Sequence, residues 1–191
     1  MKIRSFLAFE LPLEIRNMVA RVSGELRQST LNARWVKVDN IHLTVVFMGN
    51  IETGDISAIA QGVQEVCQTF PPFDLSLRGI GCFPNRRNPR VLWLGLDGDI
   101  EPMSEFRDAL QENLTGFGIK EEKRKFKPHL TLARFRKPKK MDLKEEQLLS
   151  KYEDISSSVC SLKELILFKS DLKPTGAVYT KVDAWPLTGK K

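Results

Sequence analysis

No run of the chain approaches the ~18 consecutive apolar residues of a membrane-spanning helix. The start, Met1-Lys2-Ile3-Arg4-Ser5-Phe6, meets charge within two residues and never gives a leader-length apolar core. A cytoplasmic location and no membrane partner are therefore expected. Three cysteines, Cys67, Cys82 and Cys160, contain no Cys-x-x-Cys pair; their odd number suits a reducing compartment, and they read as small buried hydrophobes. His-Glu-x-x-His is missing, and no convergent carboxylates can be placed beside the histidines, so neither a metal nor a cofactor is expected. The aromatic RNP1 pattern of an RRM is missing too. No stretch is rich enough in Gly or Ser to separate independent domains, and 1–191 reads as one compact domain made of two interleaved lobes. With 41% hydrophobic and 28% charged residues, disordered and fibrous classes are excluded.

Histidine is scarce as well, and here the scarcity informs. The two histidines open matching triplets, His42-Leu43-Thr44 and His129-Leu130-Thr131, each followed by a β-rich apolar run. Both motifs are expected on strands. Alternation then puts His42 and Thr44 on one face and Ile41, Leu43, Val45 and Phe47 on the other, with His129 and Thr131 sharing a face in the same way. Two strands that each offer an imidazole and a hydroxyl make an acid–base pair for one cleft. The motifs stand 87 residues apart, from 42 to 129, close to half of the chain, which suggests two similar lobes.

Taken in order, Ser5–Leu11 reads as a strand, and Pro12 opens a helix carrying Ile15, Met18, Val19, Val22 and Leu26. Trp35–Val38, the pair Asp39-Asn40, and Ile41–Met48 read as a hairpin that holds His42, closed by Gly49-Asn50. A helix from Asp55 stops at Pro71-Pro72. Strands follow at 73–83 and 90–96, then a helix from about Glu101 that ends at Gly116 and Gly118. The His129 strand, a weaker helix near 143–152, and strands at 161–169 and 177–185 complete the chain, with Lys173-Pro174-Thr175-Gly176 between the last two. Few helices and mostly hairpin-linked strands predict an α+β fold of antiparallel sheet, bilobal, with helices outside and one central groove. Trp35, Trp93 and the phenylalanines of apolar faces read as core.

The net charge of +6 is unevenly placed. Residues 120–140 hold ten Lys and Arg, Lys139 among them, against Glu121 and Glu122, a local +8. The rest, with twenty basic and twenty-two acidic residues, is net −2. Such a concentration around His129 suits a polyanionic substrate better than a merely solvated loop.

These motifs and their flanks resemble the two-histidine phosphoesterases, and within them the RNA 2′,3′-cyclic phosphodiesterases, also called 2′-5′ RNA ligases. The likeness runs through Arg4-x-Phe6-x-Ala8, Asn40-Ile41-His42-Leu43-Thr44 with Phe47-x-Gly49, Arg90–Gly95, Phe126-x-Pro128-His129–Arg134, Leu167–Ser170, Gly176 and Tyr179. The resemblance implies a bilobal α+β fold with one strand from each lobe at a central groove. It implies His42 as proton donor, His129 as proton acceptor, and Thr44, Thr131 and Arg134 as phosphate ligands. Arg134, five residues after His129, falls on the wrong face of a regular strand, so either the strand ends or bulges near Ala133, or Arg134 serves another role. Phe168 and Lys169 stand where the family pattern has Tyr and Arg.

Opening a 2′,3′-cyclic phosphate requires one group to take a proton from water and another to give one to the departing ribose oxygen. Imidazole, with an ordinary pKa of ~6.5, can do either. The expected activity is thus metal-independent hydrolysis of RNA 2′,3′-cyclic phosphate ends to a 2′-phosphomonoester, with reversible 2′-5′ RNA ligation, by a monomer. Three other readings stay open: a cyclic phosphodiesterase for a small nucleotide, a non-catalytic RNA-binding module, and a histidine-ligated metal hydrolase.

Overall fold

The computed structural model describes residues 1–29, 31–137, 140–174 and 176–190; Lys139 of the basic segment and Thr175 of the last turn lie outside them. Strand β1 spans Lys2–Phe9. Pro12, whose missing N–H is no loss at a helix start, caps α1 (Leu13–Arg27), and this helix buries Ile15, Val19, Val22 and Leu26 at helical spacing. Short β2 (Ala33–Trp35) and a 3-10 turn at Val38–Asn40 lead into β3 (Leu43–Glu52). Helix α2 (Ile56–Thr69) stops before Pro71-Pro72, as expected. Strands β4 (Phe73–Phe83) and β5 (Val91–Gly98) precede α3 (Ile100–Leu114), which ends through a 3-10 turn with Gly118 left-handed at φ 70°. The chain closes with β6 (His129–Phe135), α4 (Leu143–Ser150), β7 (Cys160–Leu162), β8 (Glu164–Lys173) and β9 (Gly176–Pro186). Among the described residues no helix is long and apolar enough to cross a membrane.

The strands form two antiparallel sheets, one ordered β3-β1-β8-β9 and the other β2-β6-β5-β4-β7, so the α+β expectation holds and each sheet carries one histidine motif. One contiguous core draws on both sheets and all four helices, with Leu26, Ile59, Leu110 and Leu149 fully buried beside Leu43, Leu92 and Leu130. A smaller cluster of Phe6, Ala8, Ile166 and Phe168, with Tyr179 against it, belongs to the four-stranded sheet.

Three local expectations are corrected. The hairpin at 35–48 does not form: β2 pairs with β6 and β3 with β1, in different sheets. Asn40 closes a 3-10 turn onto Lys37 in place of a two-residue hairpin turn. The segment is thereby free to cross between sheets, and each of its strands covers an edge that would otherwise be left with unpaired backbone. The strand expected at 161–169 is two strands, because β7 pairs with β4 while β8 pairs with β1 and β9. His42 lies one residue before β3 and not within a strand, since β1 pairing begins at Leu43.

The parity of both motif strands is also broken. Opposite β1, Leu7 and Ala8 face Val46 and Thr44, so Val45 is an extra residue. Opposite β5, Leu92 and Trp93 face Ala133 and Thr131, so Leu132 is extra. At each bulge two consecutive residues are buried, Val45 with Val46 and Leu132 with Ala133, and the side chains that follow change face, in β3 as far as Phe47, after which a second extra residue, Met48, reverses the change. Phe47 therefore joins the face of Thr44, against expectation, and Arg134 joins the face of Thr131.

Candidate active site

His42 sits between the 3-10 turn and β3. Its Nδ1 lies 2.8 Å from the Asn40 carbonyl oxygen. His129, the first residue of β6, repeats the arrangement with Nδ1 2.7 Å from the Lys127 carbonyl oxygen. A carbonyl can only accept, so Nδ1 holds the proton in both rings, and in the neutral form each Nε2 is left with a free lone pair. Aromatic walls fix the ring planes. Phe6 stacks on His42 at 4.6 Å and 21°, and Tyr179 meets it edge-on at 5.3 Å. Phe168, the departure from the family pattern, stacks behind Phe6 at 5.3 Å. Phe83 meets His129 edge-on at 4.8 Å and is packed in turn against Trp93. Gly81 makes room for that indole, for a Cβ there would come within 2.3 Å of it.

Burial lowers the pKa of both imidazoles from the ordinary value, and the backbone hydrogen bond at each offsets part of the shift. At His129 the positive charge of Arg134 lowers it further. Burial likewise raises the Tyr179 hydroxyl, against the lowering effect of Arg134 and Arg4. Both free imidazoles are thus biased toward the neutral form, which a bound anion would counteract.

His42, Thr44, His129, Thr131 and Arg134 all line a single cleft of about 570 Å³ between the sheets. All five candidate residues are therefore brought together, Arg134 by the β6 bulge. Phe47 lines the same cleft at 51% exposure, with the Arg4 guanidinium 4.6 Å over its ring. Trp35, read as core from the sequence, also faces it. Among the described residues no carboxylate lines the cleft, whereas Arg4, Arg34, Lys37 and Arg134 do, and none of these four forms an ion pair with a described residue.

The basic segment contributes less than its charge suggests. Of the described residues within 120–140, His129, Thr131 and Arg134 face the cleft. Arg124 is bound to Glu122, whose carboxyl it holds down at about 2, and the Glu122 carbonyl accepts from Arg107. The remaining cleft cations, Arg4, Arg34 and Lys37, come from outside the basic segment, from the part of the chain that is net −2. Composition alone could not have found Arg34 or Lys37, because their place depends on β2 leaving its own neighbour to pair with β6. Asn40 is a second omission: besides accepting from His42, it donates through Nδ2 to the Ala177 carbonyl at 2.8 Å, tying the turn to β9.

A family model described as the 2′-5′ RNA ligase superfamily matches residues 14–173. A protein of Methanothermobacter thermautotrophicus named RNA 2′,3′-cyclic phosphodiesterase is 32% identical over 187 residues, covering 98% of this chain and 100% of that one. One of the same name from Archaeoglobus fulgidus is 30% identical over 177 residues, 93% of this chain and 96% of that one. Among solved structures, TT0787 of Thermus thermophilus matches with a TM-score of 0.83 at 25% identity, covering 99% of this chain and 100% of that one. E. coli LigT complexed with 3′-AMP matches in fold with a TM-score of 0.79 at 24% identity, over 98% and 99% of the two chains.

Proposed function

Because this chain belongs to the 2′-5′ RNA ligase superfamily, we propose that it is a cytoplasmic, monomeric enzyme of one domain that hydrolyses the 2′,3′-cyclic phosphate end of an RNA to a 2′-phosphomonoester. The observation that carries the reading is the matched pair of imidazoles. Each is held through Nδ1 by the carbonyl two residues before it, and both line one cleft whose charged side chains, among the described residues, are all cationic.

In this reading His129 Nε2 takes a proton from water as its oxygen attacks phosphorus, and the bond from phosphorus to the 3′ oxygen breaks. His42 gives its proton to that oxygen, leaving a 3′-hydroxyl and a 2′-phosphate. The two histidines finish with their protonation exchanged and are reset through solvent. His42 must enter the step protonated, although burial disfavours this in the free enzyme. The cyclic phosphate brings one negative charge into the cleft and restores the proton. The Thr44 and Thr131 hydroxyls and the Arg134 guanidinium hold the non-bridging oxygens, where charge builds in the transition state. Phe47, backed by Arg4, offers a stacking face to the terminal base. With the 5′-hydroxyl of a second strand in place of water, the same groups would open the cyclic phosphate to a 2′-5′ phosphodiester and a free 3′-hydroxyl. Attack of that 3′-hydroxyl on the linkage, with the 5′ oxygen leaving, runs the step back, which gives reversible 2′-5′ ligation. Incubation with a 2′,3′-cyclic nucleotide, with identification of the phosphate position in the product, tests the reading.

A further inference from the structure

Arg34 and Arg134 are direct cross-strand partners at the β2–β6 edge. Partners in an antiparallel pair have Cα atoms only ~4.5–5.5 Å apart and share a face, and like charges directly opposite destabilise the pairing. β2 has three residues with which to compensate. Both guanidinium groups line the cleft and neither has a carboxylate partner among the described residues. Arg34 Nη2 also reaches to 4.0 Å from the position a Gly176 Cβ would take, so this side chain of one sheet extends to the β8–β9 turn of the other. Lys37 lines the same end of the segment and is likewise unpaired.

Two forked donors held side by side without an acid fit two adjacent anions better than one. We propose that Arg34, with Lys37 beside it, is a second phosphate subsite that takes the phosphodiester immediately 5′ to the terminal nucleotide, while Arg134 serves the cyclic phosphate. This rests on the cyclic phosphodiesterase reading above and adds to it a substrate class: the enzyme selects a chain of at least two nucleotides over a cyclic mononucleotide. With one phosphate on each arginine, the repulsion that the free sheet edge carries is also offset.

The test compares kcat/KM for 2′,3′-cyclic AMP with that for the dinucleotide ApA ending in a 2′,3′-cyclic phosphate, in the wild type and in Arg34→Gln. The wild type is expected to prefer the dinucleotide by about tenfold or more, the scale of one charge-assisted hydrogen bond, expressed mainly in KM. Arg34→Gln should abolish most of that preference, the loss being larger on the dinucleotide, and should flatten the slope of log KM against log salt by ~0.7. Arg34→Lys should keep part of it. Replacing Lys123, Arg124 and Lys125 by Gln, away from the cleft, should leave the preference intact. Equal kcat/KM for the two substrates in the wild type, or equal losses on both in Arg34→Gln, overturns the subsite while leaving the hydrolysis itself standing. Failure of the wild type to turn over either substrate overturns the hydrolytic reading and the subsite with it.

Discussion

Phe47 and Arg134 hold corresponding places in the two halves of the molecule. Each follows its histidine by five residues, and each is turned into the cleft by a one-residue bulge in its strand. The duplicated motif is therefore duplicated in shape but not in chemistry. One half presents an aromatic face and the other a cation, and under the proposed function this orients the substrate, with its base at the Phe47 side and its phosphate at the Arg134 side.

Phe47→Ala should raise KM for a cyclic nucleotide by about tenfold or more, since stacking a base on an aromatic ring contributes ~1–3 kcal/mol. kcat should change little, because the histidines are untouched, and Phe47→Tyr should restore binding. A Phe47→Ala enzyme with unchanged KM would remove the base from this face. Steady-state kinetics on one purine and one pyrimidine substrate provide the check.

The pH profile of the free enzyme follows from the two lowered histidines. The acceptor must be neutral and the donor protonated, so both limbs of kcat/KM, which belong to the pair and not to either residue alone, should lie below ~6.5. In the complex the phosphate charge favours imidazolium, so the alkaline limb of kcat should lie at higher pH than that of kcat/KM. Arg134→Gln removes a charge that lowers His129, and the acid limb should therefore move up in pH. An acid limb that stays in place or moves down would contradict the electrostatic link between Arg134 and His129.

Asn40→Ala should act through position. The main-chain carbonyl that accepts from His42 remains, but the side-chain tie to Ala177 is lost. A loss of stability of about 1 kcal/mol is expected by thermal melting, the scale of one hydrogen bond, along with a severalfold fall in kcat. Asn40→Asp, which cannot donate to the carbonyl, should not rescue either quantity. Wild-type kcat in Asn40→Ala would show that the tie to β9 does not orient the imidazole.

Much of the site was legible because it repeats. With two histidines in the chain, the shared His-Leu-Thr triplet identified all four side chains now found in one cleft, and the amphipathic spacing of α1, α2 and β4 placed the supporting elements within a few residues. Strand parity misled at Phe47, and it left Arg134 open, because a bulge is a single inserted residue whose cost is set by pairing with β1 or β5, and the local pattern of apolar residues does not record it. The pairs Val45-Val46 and Leu132-Ala133, apolar neighbours where alternation calls for a polar residue, are the trace that it leaves. The crossing of 33–42 between sheets was illegible for a related reason. Trp35–Val38 and Ile41–Met48 have the pattern of a hairpin, and only the unpaired edges of β1 and β6, which are far away in sequence, decide against it. Arg34 was missed with it.

The most direct measurement uses an oligoribonucleotide ending in a 2′,3′-cyclic phosphate, incubated in EDTA with the wild type, His42→Ala and His129→Ala, with the phosphate position in the product read by phosphorus NMR. The expected result is a 2′-phosphate formed by the wild type without added metal, and kcat lower by ~10² or more in each variant while both melt as the wild type does. Activity lost in EDTA and restored by a divalent ion, or near-normal kcat in either histidine variant, would contradict a paired-imidazole mechanism.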